Sequence, residues 1–163
     1  MIDRIGRGLF RLEAGLAALF LCLIVSCVFG QFFGRTVLNL GLHWTGELAR
    51  FAFVWCGLLG AAAALQAGAL HRVDMLSRRL SGVSRRLLEG LVLGLVLFVL
   101  AYLMFYGVRM TLRVVPQLSS TMEISMAWVY AALPVAVAGM ILSTLLSLSR
   151  LMAGFDPSES DPR

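Results

Sequence analysis

Lysine is absent from these 163 residues, and Asp and Glu together number only nine. Charged residues make up 14% of the chain against 60% hydrophobic ones, and the mean hydropathy is +0.88. So little polar surface cannot cover one soluble core of this length, which excludes a water-soluble globule and leaves no room for a second domain. Histidine is equally scarce: His43 and His71 both fall outside the apolar runs. A haem-bearing membrane cytochrome is thereby disfavoured, because axial imidazoles would have to project into a bundle. The cysteines are Cys22, Cys27 and Cys56, all inside apolar runs. The first two lie too close along one helix to form a bridge, and no metal-ligand spacing links them. No Ser-His-Asp set, glycine-rich phosphate loop or pair of catalytic carboxylates can be gathered on one face. The sequence therefore predicts neither an enzyme nor a cofactor or metal site.

Long apolar runs fill the chain instead, and they define four expected spans at 14–34, 47–67, 87–108 and 124–148. A helix needs about 20 residues to cross a hydrocarbon core of about 30 Å. Backbone amides in lipid have no water to bond, so helix is the state such segments adopt. The predicted fold is an all-α integral membrane protein of four transmembrane helices.

The net charge of +5 and pI near 9.9 do not indicate nucleic acid, because the arginines sit at the ends of apolar runs without an aromatic-interleaved basic face. Their distribution carries topology. Arg4, Arg7, Arg11, Arg72, Arg78, Arg79, Arg85, Arg86, Arg150 and Arg163 share the side of both termini and the central loop, while Arg35, Arg50, Arg109 and Arg113 lie on the other. This bias predicts cytoplasmic termini, with Trp44 and Trp128 near the outer interface. The early arginines and the Ile24–Cys27 stretch loosely resemble a lipoprotein signal, yet the apolar run continues to Phe33. An uncleaved first helix is expected.

The connections carry helix signals. Thr45 is placed to cap the second span with Glu47 in its first turn, and Ser120 with Glu123 has the spacing of a capping box for the fourth. Val73, Leu76 and Leu80 recur at helical spacing among Arg72, Arg78 and Arg79. They predict a short amphipathic interfacial helix over 72–80, apolar side in the headgroup region, with a solvated hairpin as the alternative. The tail 150–163 is expected to be disordered.

Glu47 and Arg50 are three apart at the outer mouth of the second span and can pair with each other or meet opposite charges on a partner. His71 and Asp74 form a second polar pair at its inner end, better suited to capping than to a relay because no further ligands lie nearby. Glu13 and Glu89 fall near span ends, as do the uncharged amides Gln31 and Gln66. Gly57, Gly60, Ala61 and Ala64 give the second span a stripe that permits close helix approach. Pro134 removes one backbone bond inside the fourth run and is expected to bend it.

The stretch Glu47, Leu48, Ala49, Arg50 and Phe51, followed by Trp55, Gly60 and Ala61 and then by His71, Arg72, Val73 and Asp74, resembles the small membrane subunit (DctQ-type) of tripartite ATP-independent periplasmic (TRAP) transporters. Gln117, Ser119, Trp128, Tyr130, Leu133 and Pro134 are similar to that family's approach to its last span. The chain departs from the pattern at Gln66 and Ala67, where a basic residue is common, and at Ser125, where proline is. The resemblance implies a non-catalytic subunit of the bacterial inner membrane. It would anchor a large elevator-type membrane subunit (DctM-type), to which a periplasmic substrate-binding protein (DctP-type) delivers an organic acid such as a dicarboxylate or sialic acid for sodium-driven uptake. Its interface or structural residues would be Glu47, Arg50, Trp55, Gly57, Gly60, Ala64, His71, Asp74, Trp128, Tyr130 and Pro134. A self-sufficient four-helix homo-oligomeric transporter and a membrane-embedded enzyme are the alternatives; the first requires a carboxylate deep within a span.

Overall fold

A computed structural model describes residues 2–37, 43–77 and 83–152, with side-chain surroundings for 6–37, 44–67 and 87–149. The described residues form five helices: α1 (Ile2–Val37), α2 (His43–Ser77), α3 (Val83–Arg113), the short α4 (Ala127–Tyr130) and α5 (Ala132–Met152). Stretches within them at Gly6–Val37, Trp44–Ala67, Leu87–Arg113 and Ala127–Ser149 are each long and apolar enough to cross a membrane, the last formed by α4 and α5 together. The chain is thus an all-α protein with four membrane-crossing segments. At 1.5 Å per residue α1 is about 54 Å long, so its ends overshoot a hydrocarbon core of about 30 Å.

The helices form a row rather than a square. α2 and α5 are the inner pair, α1 packs chiefly on α2, and α3 packs chiefly on α5. The buried positions explain how they come so close. Ala52, Leu59, Ala62 and Ala63 on α2 and Ala132, Ala136 and Val137 on α5 are core residues, and Val137 is the largest fully buried side chain among the described residues. Large apolar residues point outward: Phe29, Phe32, Phe53, Leu87, Leu91, Phe98 and Leu112 are all more than half exposed. In water this would be an aggregation surface, but in lipid there is no hydrophobic drive to bury Leu and Phe, and small residues let backbones pack.

α1 and α2 run antiparallel, and their contacts step down the pair. Gly46 faces the side chain of Gln31, where an added Cβ would lie 3.3 Å from its Nε2. Trp55 stacks on Phe20 at 5.7 Å between ring centroids, and the Cys56 thiol donates to the Ala17 carbonyl at 3.4 Å.

Several expected details differ. α2 begins at His43, so Thr45 is a buried residue of the first turn rather than a cap. The capping box is not formed: Glu123 has a positive φ of 53°, and the helix starts later, after Met126, which gives no side-chain cap. Ser125 takes the position instead, accepting from the Ala127 amide at 3.3 Å. Residues 72–77 continue α2, while 78–80 of the expected interfacial helix lie outside the described residues, as does the tail from 153. The fourth run is interrupted at Ala131, three residues before Pro134, whose missing N–H leaves the Tyr130 carbonyl without its helical donor. Ala131 keeps right-handed dihedrals of −62° and −20°, so the break is a local adjustment and not a reversal.

Candidate functional site

Among the described residues, two gatherings of polar groups and one open helix face stand out. At the end of the bundle that carries the 114–126 connection, Glu47 holds that connection in place. Its Oε2 accepts hydrogen bonds from the backbone amides of Thr121 and Met122, both at 3.1 Å. The buried hydroxyl of Ser119 faces the same carboxylate just outside hydrogen-bond geometry. The connection is a tight hairpin, with Leu118 bridged to Ser125, the Ser119 amide donating to Ile124 at 2.9 Å and the Met126 amide to Gln117 at 2.8 Å. The Ser125 hydroxyl closes its base on the Val115 carbonyl at 2.8 Å. About two turns further along α2, the indole N–H of Trp55 donates to the Trp128 carbonyl at 3.1 Å. Glu47 and Trp55 therefore clamp α2 to the α3–α4 connection and to α4.

The second place was not legible as a site. Glu13 is buried at 3% exposure, and its Oε2 accepts from Nε2 of buried Gln66. Its other oxygen lies against Gly139, where any Cβ would collide with it. One carboxylate thus joins α1, α2 and α5. The available signal was its residue type: ionisable and amide groups within apolar runs are few and face protein interiors. Nothing local pairs positions 53 residues apart in sequence.

The third place is a face of α2. At about 100° per residue, Arg50, Phe53, Gly57, Gly60, Ala61 and Ala64 share one side of the helix, roughly opposite the buried Ala52, Leu59, Ala62 and Gln66. Arg50, Phe53, Gly57, Ala61 and Ala64 are exposed and Gly60 partly so. A Cβ at Gly57 or Gly60 would meet nothing within 4 Å. The predicted set thereby divides. Glu47 and Trp55 are used within the chain, while Arg50, Gly57, Gly60 and Ala64 lie on the open face. Trp128 and Tyr130 are exposed, and Pro134 lies where α3 crosses at Gly107. His71 and Asp74 belong to α2, but their side chains lie outside those described. Among the described residues no three His, Cys, Asp or Glu side chains converge as a metal site would need.

Four apolar crossing segments, an interior of alanine and glycine and polar groups used as interhelical ties define a multi-pass membrane protein. The family described as "Tripartite ATP-independent periplasmic transporters, DctQ component" matches residues 24–154, and the chain belongs to that family, a transporter component. A relative, the "Sialic acid TRAP transporter permease protein SiaT" of Haemophilus influenzae (strain 86-028NP), is 27% identical over 125 residues. The match covers 77% of this chain and 20% of the relative, so the chain spans about one fifth of that relative's length.

Proposed function

We propose that this chain is the non-catalytic scaffold subunit of a sodium-driven secondary transporter for organic acids. It lies in the bacterial inner membrane with both termini cytoplasmic and holds a large elevator-type membrane subunit, to which a periplasmic binding protein delivers the substrate. The open face of α2 from Arg50 to Ala64 carries this reading. Among the described residues nothing lies within 4 Å of where a Cβ at Gly57 or Gly60 would be, and small residues on a membrane helix serve close approach of another helix. The four fifths of the sialic acid relative that find no counterpart here leave room for the larger partner that such a face would meet. Transported acid and sodium then bind on that partner, and this chain supplies immobile bulk against which it moves. A homo-oligomeric transporter has one observation in its favour, the buried Glu13 carboxylate, although that group is already taken up by Gln66.

Proteoliposomes separate the two. Uptake of an organic acid driven by an inward sodium gradient should require this chain, the large subunit and the binding protein together. This chain alone should show no saturable binding of acid or sodium by calorimetry. Uptake by the chain alone, or undiminished uptake without it, rejects the scaffold reading.

A further inference from the structure

α3 carries a feature that neither its packing on α5 nor the subunit role uses. Between α3 and the α4–α5 segment lies a side-open cleft of about 340 Å³, floored by Leu103, Tyr106, Gly107 and Met110 and walled by Tyr130 and Leu133. Its body is apolar and Arg113 stands at one end. Gly107 sets its depth, because there the helices come so close that a Cβ would lie 3.1 Å from Leu133 Cδ2. From Leu103 to Arg113 the cleft runs along α3 for ten residues, about 15 Å, which is half the thickness of a bilayer core. Arg113 is the last residue of α3 and ends its long apolar segment Leu87–Arg113. It is exposed, and no hydrogen bond or ion pair engages it among the described residues. Arg109, one turn back, lies over the Phe105 ring at 5.5 Å. Tyr106 and Tyr102 are in ring contact at 4.4 Å on the same helix.

We infer that this cleft is a binding site for one anionic phospholipid of the leaflet at the connection end, an acyl chain lying from Met110 to Leu103 and the phosphate on Arg113. Slot length, apolar lining and a cation at one end are the three features such a ligand has to match, and they coincide here. A lipid held this way covers the open side of the cleft and brings a negative charge to an otherwise basic helix end.

The test is native mass spectrometry of the full chain released from micelles containing dioleoylphosphatidylglycerol or dioleoylphosphatidylcholine. One phosphatidylglycerol should be retained in preference to phosphatidylcholine, and Arg113→Gln should lower that retention about five-fold, the worth of one arginine at an anionic surface. Met110→Trp, which fills the slot and leaves the charge, should lower it as well. Arg35→Gln, at the corresponding end of α1, should leave it unchanged. Equal retention of the two lipids, an equal loss in Arg35→Gln, or wild-type retention in both slot variants overturns the inference. So does a slot that holds no lipid and becomes protected only when the large subunit is added.

Discussion

The tie between Glu13 and Gln66 can be tested for what it contributes to the bundle. Gln66→Met removes the amide donor and keeps an unbranched side chain of similar length, so α2 retains its packing while the Glu13 carboxyl is stranded among α1, α2 and Gly139. A buried polar group left without a partner costs about 1–3 kcal/mol in soluble proteins. Interhelical polar pairs within membranes average about 0.6 and reach about 1.7 kcal/mol, because the unfolded chain in lipid also finds partners. The membrane range governs here, and a loss of about 1 kcal/mol is expected. Glu13→Met should cost a similar amount by stranding Gln66, whereas the double variant removes both polar groups and should recover most of it. The assay is reversible unfolding in mixed micelles with rising dodecyl sulfate, followed by far-UV circular dichroism and tryptophan emission. Trp55 reports directly, since it stacks on Phe20 across the α1–α2 seam. A double variant destabilised by the sum of the two single losses would refute the coupling, and with it the claim that this pair joins three helices.

The hairpin and the open face of α2 give two further expectations. Glu47→Ala should leave the helices in place but free the Thr121 and Met122 amides, seen as at least ten-fold faster hydrogen exchange there and earlier proteolysis within 114–126; unchanged exchange would show that the connection is held without Glu47. Gly60→Leu should leave the isolated chain as stable as wild type, because nothing within 4 Å opposes a Cβ there, yet abolish co-purification with the large membrane subunit, with Arg50→Ala weakening it; wild-type complex yield from both would mean that this face meets lipid.

Element type was readable from composition because lipid allows few alternatives to helix, and runs such as 87–108 contain nothing to stop one. The stripe of Gly57, Gly60 and Ala64 was readable for the same reason, since helical spacing alone puts those residues on one side. Direction was not. Glu47 and Arg50 are near neighbours on a helical surface, but the carboxylate is drawn to the amides of a connection more than 70 residues away, and a single sequence does not disclose that distance. The hairpin misled for a local reason. Ser120 and Glu123 have the spacing of a cap, while the chain turns back between Leu118 and Ser125 and spends Glu123 on a left-handed residue. Glu13, Gln66 and Gly139 come from three helices, and only the packed bundle brings them together.

The row of helices also bears on how the protein is made. α5 leaves the ribosome after α1, α2 and α3, yet it lies between α2 and α3 and is the main partner of α3. A nascent chain halted after Arg113 would have α1 and α2 already paired through Trp55 and Cys56, with α3 adrift in the bilayer and its aromatic flank touching only lipid. Glu13 would likewise wait for Gly139 to close over it. Membrane helices that insert independently and associate afterwards permit such an order. Assembly of these segments would then wait on the docking of α5, so termination within α5 would release two helices from their place rather than one.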